Sequence, residues 1–191
     1  MTGFVLWKAL PDTVMIDGQA YALHTDFRRW MQFEKIMFEE RLSFLEKLAR
    51  LFVLCYKELP PDVEKAVLGL RLFYAGKDPE GRKASPGSSC QPVYSFYQDS
   101  GLIYAAFYQQ YGLDLCTVDL HWWQFLALLD GLSDTTRFVQ VIGYRAASLS
   151  SVSDASKRQF LQNMKRLYAL EDRRSADEKD EALAQAMEGL F

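Results

Sequence analysis

"DTVMIDGQAYALHTDFRRWMQFE", residues 12–34, reads as a β-hairpin feeding straight into a helix. Asp17-Gly18 supplies a two-residue turn whose positive φ angles match the twist of paired strands. That turn sets Ile16 opposite Gln19, Met15 opposite Ala20 and Val14 opposite Tyr21. Val14, Ile16, Tyr21 and Leu23 then share one apolar face. A lone hairpin is marginal in water, so this one must lie on helices or on another chain's sheet edge. Thr25 or Asp26 suits the cap of the helix that follows. Phe27, Trp30, Met31, Met37 and Phe38 form its apolar stripe, which only Glu34 interrupts.

Beyond this stretch the helical period runs on through Leu42, Leu45, Leu48, Phe52 and Cys55, as one long helix or as two with a bend near Glu39–Glu40. Pro60-Pro61 ends it, since proline lacks the amide and disfavours helix in its predecessor; Pro61 also suits the first position of a new helix. Val63, Val67, Leu70 and Tyr74 mark the next apolar face, with Gly76 as its stop. "GKDPEGRKASPGSSCQP", about 76–92, is dense in Gly, Pro and Ser and reads as a flexible loop. "SFYQDSGLIYAAFYQQYG" then places Ile103, Tyr104, Phe107, Tyr108 and Tyr111 on a broad aromatic face and ends at Gly112. "YGLDLCTVDLHWWQFLALLDGL" holds a helix capped by Thr117 or Asp119 and stopped at Gly131. "SDTTRFVQVIGYRAAS" and "SDASKRQFLQNMKRLYAL" add two more. The predicted fold class is mainly α: a single mostly helical domain over 1–170 with an N-terminal β-hairpin (about 12–24). A charged tail follows over 171–191, as frayed helix or disordered chain.

The chain has 191 residues, 49% of them hydrophobic and 14% aromatic, too rich for intrinsic disorder. That length buries a substantial core without disulfides or metals. A formal net charge of -3 leaves no basic surplus to neutralise phosphates, so no nucleic-acid partner is expected. The three cysteines, Cys55, Cys90 and Cys116, have no short spacing that would mark a disulfide framework or a zinc motif. Reduced thiols fit a cytosolic setting, with Cys55 as a small buried hydrophobe. "MTGFVLWKALPD" lacks the pattern of a signal peptide, and no apolar run approaches the ~20 residues a membrane helix needs. The expectation is a soluble intracellular protein with no membrane partner.

Chemistry has little to work with. A catalytic or metal-binding histidine needs partners at fixed geometry. Around His121, Asp119 falls on a different side of a helix, while Gln124 and Phe125 offer no ligand for zinc. A local hydrogen bond in the first helical turn accounts for the ring. Near a helix start, Asp119 accepts from free amides and complements the dipole. No nucleophile motif and no phosphate-binding glycine pattern occurs. No catalytic residue, cofactor or metal site is assigned, and the protein is not expected to be an enzyme. The enzymatic rival, a metal-dependent hydrolase using Asp99, Asp114, Asp119 and His121, rests only on closeness in sequence.

Trp122 and Trp123 carry more information. With Leu120, Phe125, Leu126, Leu128, Leu129 and Leu132 they make a helix apolar around most of its circumference, buried on several sides. Either the domain wraps it completely or one flank meets another chain, because Trp and Tyr dominate interface energies. Trp122, Trp123, Phe125, Tyr104, Phe107, Tyr108 and Trp30 are therefore the candidate partner-binding or core aromatics.

Several segments resemble the bacteriophage gene-product-fifteen family, encoded in siphophage tail modules: "LPDTVMIDGQAYALHTDFRRWMQFE", "FYAGK", "YSFYQDSGLIYAAFYQQYGLDL", "LHWWQFLALLDGL" and "VIGYRAA". They run in order from about Leu10 to Leu170, and the His-Trp-Trp-x-Phe core with its trailing Gly-Leu is the most specific piece. Members resemble tail assembly chaperones, which hold the long helical tape measure protein before tube subunits polymerise around it. The resemblance implies that role in the host bacterium's cytoplasm, with the tape measure protein and other tail proteins, or a sister subunit, as partners. A structural tail component retained in the virion is the alternative it leaves. Its shared aromatic positions match Trp122, Trp123, Phe125, Tyr104 and Phe107, and it carries over no catalytic residue. The Trp122/Trp123 helix and the hairpin edge are the expected holding surface.

Overall fold

The computed structural model describes residues 8–76 and 93–170. The loop expected at about 76–92, apart from Gly76, and the tail at 171–191 lie outside the described residues. Strands β1 (Thr13–Ile16) and β2 (Gln19–Ala22) precede helices α1 (Phe27–Met37), α2 (Phe44–Cys55), α3 (Val63–Tyr74), α4 (Ser100–Tyr111), α5 (Trp122–Asp130), α6 (Arg137–Ala146) and α7 (Ala155–Leu167). A short 3-10 turn at Leu149–Ser151 separates α6 from α7. The fold is mainly α with one antiparallel hairpin at its N-terminal end.

The hairpin has the predicted register, with Val14 opposite Tyr21, Met15 opposite Ala20 and Ile16 opposite Gln19. Asp17 (φ 51°) and Gly18 (φ 81°) form the turn. Val14, Ile16, Tyr21 and Leu23 are all buried, and Met15 on the other face is exposed. Helices supply the cover: β1 packs on α3, where Gly69 lets the strand approach. A Cβ at Gly69 would stand 3.0 Å from the Tyr56 hydroxyl and 3.3 Å from a Val14 methyl. The chain past β2 then pairs with the end of α2, through His24 N–H to Cys55 O (2.8 Å) and Lys57 N–H to Ala22 O (2.9 Å).

Two helices, not one, follow the hairpin. Asp26 caps α1 by accepting from Arg28 N–H at 2.9 Å. Ser43 opens α2 with a capping box, accepting from Glu46 N–H while Glu46 accepts from Ser43 N–H at 2.9 Å. This new start resets the helical phase. The predicted stripe therefore fails at Leu45, which is 75% exposed, and is only half-buried at Leu48; Cys55 is buried as expected, and Leu51 joins it in the core. A similar correction applies to α3. Its cap is Asp62, whose carboxylate accepts from Lys65 N–H at 3.0 Å, so Pro61 stands before the helix. Its buried face is Ala66, Gly69, Leu70 and Phe73, leaving Val63 and Val67 toward solvent. The hairpin sits on the one side of α3 that lacks a side chain, and that contact sets the rotation. Gly76 (φ 64°) and Gly112 (φ 67°) end α3 and α4 in the left-handed conformation expected of them.

The core is aromatic. Trp30 packs on Phe73 with ring centres 4.6 Å apart, Phe125 lies between Phe27 (4.8 Å) and Phe107 (5.1 Å), and Phe96 meets the edge of Trp122. Such pairs add about 0.5–1.5 kcal/mol each beyond the area they bury. Glu34, the interruption in the α1 stripe, has a place here: it accepts from the Tyr74 hydroxyl (2.9 Å) and from Phe96 N–H (3.1 Å). At the far side, Arg145 of α6 reaches Asp99 at the start of α4, and Tyr144 packs against Phe160 and Tyr168 to seat α7.

Candidate partner-binding surface

His121 is the N-cap of α5, two residues after Asp119 and four after Thr117, where the cap was expected. Residues 25–27 and 120–122 determine the position. Trp122 N–H donates to Thr25 O (2.8 Å) and Phe27 N–H to Leu120 O (3.1 Å), so α1 and α5 start side by side. The imidazole Nδ1 accepts from Trp123 N–H (3.0 Å), and Nε2–H donates to Pro11 O (2.9 Å). Gln124 completes a capping box by accepting from His121 N–H (3.2 Å). Both ring nitrogens are used, and the neutral tautomer is defined. Burial pushes the imidazole pKa below its ordinary value, against the upward pull of the Pro11 carbonyl and of Asp12. The ring holds a helix start in place.

The other residues of the hydrolase rival are dispersed in similar ways. Asp99 is bound by Arg145 at 2.7 and 2.8 Å, and Asp114 accepts from Cys116 N–H at 2.9 Å. Among the described residues no three His, Cys, Asp or Glu side chains lie close enough to hold a metal ion. No helix among them is long and apolar enough to cross a membrane.

The candidate aromatics divide cleanly. Trp30, Trp122, Trp123, Phe107 and Phe125 are core, each no more than 4% exposed. The holding surface expected at the Trp122/Trp123 helix is thus corrected: neither indole reaches solvent. Their N–H groups serve α3, since Trp122 Nε1–H donates to Tyr74 O and Trp123 Nε1–H to Phe73 O, both at 2.9 Å. Last-turn carbonyls need partners from outside their helix, and the two indoles supply them from α5. Tyr104 and Tyr108 differ. They stack on one another at 6.1 Å on the outer face of α4, 37% and 59% exposed.

Among the described residues, large apolar side chains are also exposed where α1 hands over to α2. Met37, Phe38, Phe44, Leu45 and Val53 all face solvent, Leu45 and Val53 by about three quarters (75% and 73%). Beside them a groove between the two helices is lined by Arg29, Ile36, Ala49, Arg50, Val53 and Leu54. This corrects the stripes expected from the sequence, which put Met37, Phe38 and Leu45 on buried faces and left out Phe44 and Val53. "FLEKLARLFVLC" keeps Glu46, Lys47 and Arg50 to one face and is apolar over the rest, a wider apolar arc than a helix laid along the outside can bury.

A family model described as "Bacteriophage Gp15 protein" matches residues 6–170, which covers every described element. No curated protein and no solved structure matches the chain.

Proposed function

The chain belongs to the bacteriophage Gp15 protein family, and on that footing we propose that it is a phage tail assembly chaperone. In this reading it holds the tape measure protein in the host cytoplasm before tail-tube subunits polymerise around it. The observation that carries the reading is the exposed apolar surface of Met37, Phe38, Phe44, Leu45 and Val53. Apolar side chains in a groove are how a protein holds an amphipathic helix, and a patch of this kind on a folded chain marks an interaction site. The proposed role calls for no catalysis, and in it His121 serves as the cap of α5 and Asp99 as the partner of Arg145.

Co-expression with the long helical reading frame of the same tail module tests this. The two proteins are expected to co-purify, and failure to do so with both soluble would overturn the reading. Mass spectrometry of purified particles separates the chaperone from a retained tail component. A chaperone is absent from the particle; stoichiometric recovery there assigns the chain to the tail itself.

A further inference from the structure

The groove between α1 and α2 has a charge as well as a shape. The two helices carry five basic residues, Arg28, Arg29, Lys35, Lys47 and Arg50, and two acidic ones, Glu34 and Glu46. Neither acid lines the groove. Glu34 faces inward to Tyr74 and Phe96, and Glu46 closes the capping box with Ser43, one turn before Arg50, which it attracts from outside the lining. Three of the bases are also engaged elsewhere: Arg28 with Asp26, Lys35 over the Tyr97 ring, and Lys47 on Met37 O. Arg29 and Arg50 stand in the lining, Arg29 with Nη1 donating to Leu54 O at 3.1 Å, around an apolar floor of Ile36, Ala49, Val53 and Leu54, with no carboxylate among them. In a chain of net charge -3 this is a local reversal of sign.

From this arrangement we infer that the α1–α2 groove takes an amphipathic helix whose apolar stripe is flanked by carboxylates. The inference rests on the reading of the chain as a helix-holding protein and names the chemistry of what is held. The stripe covers Ile36, Ala49 and Val53, and the flanking acids meet Arg29 and Arg50. Half-exposed ion pairs add little affinity singly, but like charge opposite like is penalised, so the arginines choose among stripes of equal apolarity. A lysine-flanked helix of the same stripe is the wrong partner.

Two synthetic helices with one leucine stripe, flanked by Glu in one and by Lys in the other, are titrated against the full chain by fluorescence anisotropy. The Glu peptide is expected to bind about fivefold more tightly or better, with the preference shrinking in salt. Arg50→Glu should remove or reverse the preference, and Val53→Glu should weaken binding about tenfold or more by placing a charge on the apolar floor. Val63→Glu, on the exposed side of α3, is the control and should change nothing. Circular dichroism confirms that each variant is folded, which exposed positions favour. Equal binding of both peptides, binding by neither, or binding unmoved by Val53→Glu each overturns the inference. So does a groove filled by a second copy of the chain, seen as self-association that Val53→Glu abolishes while neither peptide competes. Co-purification of the tape measure protein that survives Val53→Glu leaves the chaperone reading standing without this groove. Glu-peptide binding with no tape measure capture does the reverse.

Discussion

Arg145 and Asp99 form a two-point ion pair, with guanidinium nitrogens 2.7 and 2.8 Å from the two carboxylate oxygens. The side chains are only 11% and 3% exposed. The pair joins α6 to the start of α4, and each partner does more: Asp99 accepts from Ser95 N–H, and Arg145 donates to Val93 O and Tyr168 O. Removing one partner strands a charge in the interior. Arg145→Met or Asp99→Leu alone should cost about 3–5 kcal/mol of unfolding free energy, and the double variant less than the sum. Urea denaturation of the three variants measures the cycle; simple additivity would deny the coupling.

His121 predicts a pH dependence. Its folded pKa lies below the ordinary 6.5, through burial first. A histidine of this kind contributes stability that is complete above its unfolded pKa and is lost as pH falls below it, because the unfolded chain takes up the proton first. Protonation would also place a hydrogen on Nδ1, where Trp123 N–H now donates. Stability should therefore decline as pH drops below about 6.5. His121→Asn keeps a capping acceptor and should flatten part of that decline, whereas His121→Ala should cost about 1 kcal/mol at neutral pH. His24, also held low by partial burial and by Arg29 and Lys57, keeps its share of the slope in both variants. Thermal melts at several pH values read the difference.

Glycines on two helices should respond with opposite sign. Gly69→Ala brings a methyl to 3.0 Å from the Tyr56 hydroxyl and 3.3 Å from Val14, at the seat of the hairpin. Overpacking there should outweigh the gain in helix propensity and destabilise by about 1–3 kcal/mol. Gly143→Ala on α6 meets nothing within 4 Å and should stabilise by about 0.5–1 kcal/mol. Paired melting curves decide both.

The tryptophans and the outer tyrosines should also part company. Trp122→Ala removes a ring that is 1% exposed and the donor to Tyr74 O, and should cost about 3–5 kcal/mol. Tyr108→Ser, at a position 59% exposed, should stay within about 0.5 kcal/mol of the parent. Denaturant midpoints for the two variants check this.

Local rules were readable where one residue type determines one geometry. Asp17-Gly18 announced its turn, Gly112 and Gly76 their helix ends, and the hairpin face came out residue by residue. Helix rotation was not readable in this way. Val63 and Val67 looked like core because valine is apolar, yet α3 turns toward the hairpin through Gly69, a contact between segments far apart in sequence. The cap at His121 was hidden for the same reason: the pairing of 25–27 with 120–122 fixes where α5 begins. Apolarity alone could not say that Trp122 is wrapped while Leu45 is bare. That division depends on which helices have neighbours on both sides.

The backbone bonds at Cys55 and Lys57 give α2 unequal ends. Its C-terminal end is stitched to the chain leaving the hairpin by main-chain groups, which only a proline at His24 or Lys57 would remove. Its other end begins afresh at Ser43, on a cap that uses only its own residues. A guest wedged beside Ala49 and Val53 would thus swing the helix like a door on its lower post, widening most near Phe44 and least near Tyr56.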